Sequence, residues 1–156
     1  MTFGIGLVGK QDYPLAVFIT DMRGHGIGNQ PQLGLTFTQG FGRALGVTTP
    51  VTSPTFTLAN RYEGTDLTLN HLDVYRLDHI DEVRDLGLHE LLDSRSVTLV
   101  EWGDAIAGAL PGGYLEVRIR LGDGPDDRLL DFRIVGSEWS DRDAGLRALT
   151  AGGDRC

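Results

Sequence analysis

His71-Leu72-Asp73-Val74-Tyr75-Arg76 reads as the end of a strand running out into a loop. From Leu67 to Val74 apolar and polar residues alternate, the period of a half-buried strand. Asp73 falls among apolar neighbours, where a carboxylate is costly unless it is paired or bound to a metal. A second such site follows at Val97-Thr98-Leu99-Val100-Glu101-Trp102, where an apolar strand over 97–101 again delivers a carboxylate at its C-terminal end. In open α/β sheets, ligands bind at the carboxyl ends of strands. Two acids at two such ends point to a Mg²⁺–phosphate site. Two paired structural acids are the plainer alternative, and spacing alone leaves both open.

Upstream, residues 1–14 are glycine-rich and poorly patterned, and Leu15-Ala16-Val17-Phe18-Ile19-Thr20 reads as a buried strand. A long loop from Asp21 to Gln32 follows, holding Gly24, Gly26 and Gly28. Leu35, Phe37, Phe41, Ala44 and Leu45 give a helical pattern from about Leu35 to Leu45, stopped by Gly46. Strand, glycine-rich loop, helix is the order of a phosphate-binding unit. Thr55 to Tyr62 alternates as a strand, Glu63-Gly64-Thr65-Asp66 is a turn, and Leu67 to Val74 returns, which makes a hairpin.

Downstream, Asp78 can cap a helix beginning near Ile80, with Val83 and Leu86 facing inward. Gly87 breaks it, and Leu88 to Leu92 adds a short turn of helix. A short helix around Asp104 to Leu110 ends at Pro111-Gly112-Gly113. Tyr114 to Leu121 and Arg128 to Val135 alternate cleanly around Gly122-Asp123-Gly124-Pro125, a second hairpin. Ser140 can cap a last helix over about Asp141 to Thr150, with Asp143 placed as in a capping box. The order of elements predicts a single α/β domain with a mixed sheet flanked by helices.

With 156 residues the chain is one domain by size, large enough for a core. Acids outnumber bases by 22 to 14, a net charge of −8, which disfavours direct, tight binding of nucleic acid and suits a basic protein partner. Cys156 is the single cysteine, so no intrachain disulfide is possible. No apolar run approaches the roughly 20 residues of a membrane span. The N-terminus lacks the basic start and apolar run of a signal peptide, so a cytoplasmic location is expected.

Smaller motifs add to this. Val51-Thr52-Ser53-Pro54-Thr55-Phe56 joins a helix end to a strand. Pro54 holds Ser53 extended, and the hydroxyls of Thr52, Ser53 and Thr55 can reach phosphate or Mg²⁺; an ordinary polar loop is the alternative. Trp102 offers a flat surface for stacking or a partner contact, or else a core edge. His71 and Asp73 share a sheet face and could form a metal pair, but no third ligand lies nearby in sequence for zinc. Gly4-Ile5-Gly6-Leu7-Val8-Gly9 has the letters of a dinucleotide fingerprint without the βαβ context that gives them meaning.

Several segments recur together in one known family. They are Thr36-Phe37-Thr38-Gln39-Gly40-Phe41-Gly42, Val51 to Leu58, His71 to Leu77, Asp85-Leu86-Gly87-Leu88 and Leu99-Val100-Glu101-Trp102. In this order they resemble the bacterial TsaE family, formerly YjeE, from about Thr36 to Val135. The resemblance implies a small P-loop NTPase-like fold. It also implies an ATPase needed to make threonylcarbamoyladenosine in tRNA, acting with TsaB and TsaD, with tRNA met only indirectly. By resemblance, Asp73 matches the acid at the Mg²⁺-nucleotide site, Glu101 a Walker-B-like acid, Trp102 an adjacent functional Trp, and Thr52, Ser53 and Thr55 a switch-like loop.

The departure lies just upstream. The family carries G-x-x-x-x-G-K-T before the segment matching Thr36, where this chain reads Gly28-Asn29-Gln30-Pro31-Gln32-Leu33-Gly34-Leu35-Thr36. Gly34 or Leu35 stands where the family has Lys, and the only Lys of the chain is Lys10. Gly24, Gly26, Gly28, Gly34 and Thr36 remain as candidate nucleotide contacts, and Thr36, Asp73 and Glu101 as candidate Mg²⁺ ligands. The resemblance begins abruptly at Thr36, the pattern that a frame change or wrong start in the gene would leave, with true divergence as the alternative. A non-hydrolysing subunit that docks on TsaB and TsaD, and a small-molecule kinase, are the other readings, although a kinase too would need a phosphate-gripping cation.

Overall fold

A computed structural model describes residues 15–20, 31–54, 57–74, 91–92, 95–103, 106, 113–121, 123–124, 128–144 and 147. Strands β1 (Leu15–Thr20), β2 (Ala59–Glu63), β3 (Thr68–Asp73), β4 (Ser96–Glu101), β5 (Tyr114–Leu121) and β6 (Arg128–Val135) form one sheet in the order β2-β3-β4-β1-β5-β6. The pairs β3–β4, β4–β1 and β1–β5 are parallel, and β2 and β6 are antiparallel edges. Each edge strand is the partner of a hairpin, which needs only a short turn, so the parallel centre is flanked by the two hairpins read from the sequence.

Helix α1 (Pro31–Ala44) follows β1 in the chain. It starts earlier than the expected Leu35. Proline lacks the N–H that a first helical residue would leave unpaired anyway, so Pro31 opens the helix instead of ending the loop. Gly34 is therefore helical, which corrects its reading as a residue of the glycine loop. The other end is as expected. Gly46 has φ of 76°, Val47 N–H bonds Gly42 O at 2.9 Å and Gly46 N–H bonds Arg43 O at 3.1 Å, the paired bonds of a glycine C-cap.

Phe41 of α1 and Leu45 just past its end pack on Leu69 of β3, Val97 and Leu99 of β4, and Leu115, Val117 and Ile119 of β5. The opposite sheet face carries a second cluster of Leu72, Val74, Leu92, Val100 and Ile106. A Cβ on Gly42 would lie 2.9 Å from Val51 Cγ2, so this glycine lets α1 approach the loop that follows it.

The half-buried reading of 67–74 is corrected: β3 is covered on both faces, with Asn70 and His71 as buried as Leu69. Asn70 Nδ2 donates to Leu91 O at 2.7 Å, and Thr98 of β4 also donates to that carbonyl. The strand expected from Thr55 begins only at Ala59, because Thr57 Oγ1 donates to Asn60 Oδ1 at 3.1 Å, a local bond that competes with the ladder. Thr55 and Phe56 lie outside the described residues.

The expected Ser140 cap is also corrected. A 3-10 helix spans Ser137–Arg142, Ser140 lies inside it and bonds Ser137 O, and Asp143 Oδ2 takes Arg147 Nε at 2.8 Å instead of completing a capping box. Of the helices expected near Ile80 and over Asp104 to Leu110, nearly all residues lie outside the described set; Ile106 sits in a 3-10 turn.

Candidate functional site

The C-terminal ends of β3, β4 and β1 lie side by side, with Asp73 in register with Glu101 and Glu101 in register with Ile19. The two acids singled out in the sequence are thus neighbours across one parallel ladder, beside the strand whose continuation leads into α1. Side chains alternate along a strand, so Leu69, His71 and Asp73 of β3, and Val97, Leu99 and Glu101 of β4, share the face that α1 covers. That face changes from apolar to polar toward the C-terminal edge.

Glu101 is 1% exposed and His71 0%. His71 Nε2 lies 2.7 Å from Glu101 Oε1, and Thr38 Oγ1 of α1 donates to the same oxygen at 3.5 Å. His71 is therefore not half of a metal pair with Asp73; its outer nitrogen is taken by Glu101. Its other nitrogen, Nδ1, is buried with no hydrogen-bond partner, which costs about 1–3 kcal/mol. Asp73 is partly exposed, its N–H bonding Leu58 O at 3.1 Å. Next along the chain, Trp102 has φ of 64°, a left-handed conformation rare for a bulky residue, and it ends β4 there. Trp102 packs beside the cluster of Leu72, Val74 and Val100.

The loop over Val51–Pro54 is fixed from two sides. Gln39 of α1, next to Thr38, donates to Val51 O at 3.1 Å. From β2, Tyr62 OH takes Thr52 N–H at 3.1 Å and donates to Thr52 O at 3.0 Å, while Asn60 Nδ2 reaches Thr52 O at 3.3 Å. Thr52 is exposed and Ser53 partly so, which leaves their side chains at the surface while the backbone is clamped. Successive residues of α1 thus touch Glu101 and the hydroxyl-bearing loop.

Gly24, Gly26 and Gly28 lie outside the described residues, as does the side chain of Thr36, which sits in the first half of α1. The sequence reading missed Thr38, Tyr62 and Asn60. One signal for Thr38 was available: a polar residue three before Phe41 falls on the apolar face of the helix. Among the described residues no group of three or more His, Cys, Asp or Glu forms a metal centre. The donors at this edge are carboxylate and hydroxyl oxygens, a set suited to Mg²⁺ shared with phosphate and water.

Residues 34–129 match the profile of a family described as threonylcarbamoyl adenosine biosynthesis protein TsaE. The tRNA threonylcarbamoyladenosine biosynthesis protein TsaE of Bacillus subtilis is 43% identical over 104 residues, 67% of this chain and 64% of that protein. Its Streptomyces coelicolor counterpart is 39% identical over 119 residues, covering 72% of this chain and 80% of that one. That of Treponema pallidum is 40% identical over 85 residues, 54% of this chain and 62% of the relative. The chain thus spans just under two thirds of the B. subtilis and T. pallidum relatives. The crystal structure of B. subtilis YdiB superposes with a TM-score of 0.63 at 30% identity, over 91% of this chain and 81% of that one.

Proposed function

The chain belongs to the family of threonylcarbamoyl adenosine biosynthesis proteins TsaE, and from that premise we propose that it is the ATP-binding component of tRNA threonylcarbamoyladenosine synthesis, acting with TsaB and TsaD. The observation that carries the reading is the register pair Asp73–Glu101 at the ends of β3 and β4, beside the end of β1, the edge of the sheet where such folds bind their ligands. Asp73 and Glu101 are the residues that would hold Mg²⁺, with Thr36 as a further oxygen donor on α1. When bound, Mg²⁺ would neutralise phosphate charge. Thr52 and Ser53 present hydroxyls from a clamped backbone, and Thr55 follows them in sequence. Gly24, Gly26 and Gly28 would contribute backbone contacts, and Trp102 a stacking or partner surface.

Hydrolysis by this chain is slow or absent in this reading. Phosphoryl transfer is mostly positioning and electrostatic stabilisation of phosphate oxygens. Lys10 lies before β1, so no Lys follows the glycines. Arg43, the nearest cation on α1, is exposed in the last turn, roughly 7 Å farther along the helix than Thr38. Losing one charge-assisted contact removes about 1.5–3 kcal/mol, roughly ten- to a hundredfold in binding. The partner surface need not suffer with it. Pull-down with TsaB–TsaD, together with ATP turnover of the same mixture, tests the proposal: association with negligible turnover is expected. Turnover at the rate of a relative with an intact G-x-x-x-x-G-K-T would show that another residue does the lysine's work. Absence of association would remove the docking role.

A further inference from the structure

We propose that His71 is a positioning residue that fixes the Glu101 carboxylate for its ligand, so that β3 sets the placement of both acids. The proposal rests on reading Asp73 and Glu101 as the metal-facing pair. Strand β3 presents Asp73 directly at its end. Two residues earlier, on the same face, it presents His71, whose Nε2 lies 2.7 Å from Glu101 Oε1 on the neighbouring strand. The donor from α1, Thr38, reaches that same oxygen, and neither goes to Oε2. One carboxylate oxygen is thus held by two elements, and the other is left to meet a cation or its water.

Stability alone gives no reason for this arrangement. A buried ionic or polar pair replaced by apolar residues of similar volume is often neutral or stabilising. The apolar residues on the same face, Leu69 and Leu99, would accept such a replacement. The polar pair is also incompletely satisfied, since His71 Nδ1 has no partner. With a proton on Nε2, the imidazole donates to the Glu101 carboxylate across the 2.7 Å contact. The cost is borne at the one place where a carboxylate's direction matters.

The test compares two amides in the full chain. Gln places its side-chain N–H near the position of His Nε2, whereas Asn reaches only as far as Nδ1. The readout is the gain in affinity for a fluorescent ATP analogue on replacing EDTA by Mg²⁺, alongside the melting temperature. His71→Gln should keep the Mg²⁺-dependent gain within about threefold of the parent. His71→Asn should lose at least about tenfold of it, with the affinity in EDTA little changed. A gain retained by His71→Asn, or lost equally by both variants, overturns the positioning role. Long-range ¹H–¹⁵N spectra of the parent read the same contact without a substitution: a proton on Nε2 supports it and an unprotonated Nε2 overturns it. A parent whose affinity ignores Mg²⁺ overturns the nucleotide reading and the positioning role with it. A gain lost in Glu101→Gln but kept in His71→Asn overturns the positioning role alone.

Discussion

Asp73 and Glu101 look equivalent in the sequence, each a carboxylate closing an apolar run, yet their surroundings differ. Asp73 is partly exposed at the strand end, while Glu101 is enclosed and tied to His71 and Thr38. Replacement by the neutral isostere should therefore separate them. Asp73→Asn should leave the melting temperature within a few degrees of the parent and weaken Mg²⁺-dependent nucleotide binding. Glu101→Gln should lower the melting temperature as well as weaken that binding, because it replaces one member of a buried hydrogen-bonded pair, at a cost of about 1–3 kcal/mol. If both variants lower the melting temperature and leave nucleotide affinity untouched, the acids are structural and the proposed site is wrong. His71 was legible only as a residue sharing a face with Asp73. Its actual partner belongs to another strand, and nothing local in the sequence says which strand lies alongside.

The C-terminus of α1 and the turn between β2 and β3 form one locked unit. Thr65 N–H bonds Leu45 O at 2.9 Å, and Gly64 N–H bonds Leu67 O at 3.1 Å. A Cβ on Gly64 would lie 2.4 Å from Leu45 O and 2.6 Å from Leu67 O, both backbone atoms that cannot step aside. Gly64→Ala should cost about 1–3 kcal/mol in chemical denaturation, although the turn residue looks like a replaceable surface glycine. An unchanged midpoint would mean that the turn shifts as a whole. The same hairpin holds the Val51–Pro54 loop through Tyr62. Tyr62→Phe removes the bonds to both sides of Thr52, worth about 0.5–1.5 kcal/mol each where water does not replace them. That variant should be cut faster near Thr52 by a dilute protease while its fold persists; unchanged cleavage would show that Gln39 and Asn60 suffice. At this scale the sequence was a good guide wherever a signal is local. Gly46 as a helix stop and the bounds of β1, β5 and β6 agree with the pattern. The start of α1 was misplaced because Pro31 and Gly34 read as loop residues, and the onset of β2 because Thr57 ties itself to Asn60.

Over the whole molecule, the sheet's mixed character was legible because each antiparallel pair is a hairpin. The order β3-β4-β1 at its centre was not, since parallel neighbours are joined by long crossovers that leave no signature in either strand. That hidden order brings Asp73, Glu101 and the end of β1 to one edge, so the site became visible only with the fold. The net charge of −8, by contrast, is a property of the chain as written, and it bears on the proposed role in tRNA modification. Arginines do cluster on the exposed face of β5 and β6, but each of the three is paired with a carboxylate there. Arg118 and Arg133 pair with Glu116 at 3.2 and 2.5 Å, and Arg120 with Asp131 at 2.6 Å. With these arginines paired and the net charge acidic, few counterions should be released from tRNA, so both the affinity and its salt dependence should be small. Fluorescence anisotropy with unmodified tRNA at physiological salt should give a dissociation constant no tighter than the non-specific range of about 10⁻⁴–10⁻⁶ M. In the proposed assembly any tRNA would then be held by the partner proteins. Submicromolar binding by this chain alone, with an affinity that falls steeply between 50 and 200 mM salt, would show that the ion pairs on β5 and β6 open to admit phosphate, and the subunit would have to be placed in direct contact with tRNA.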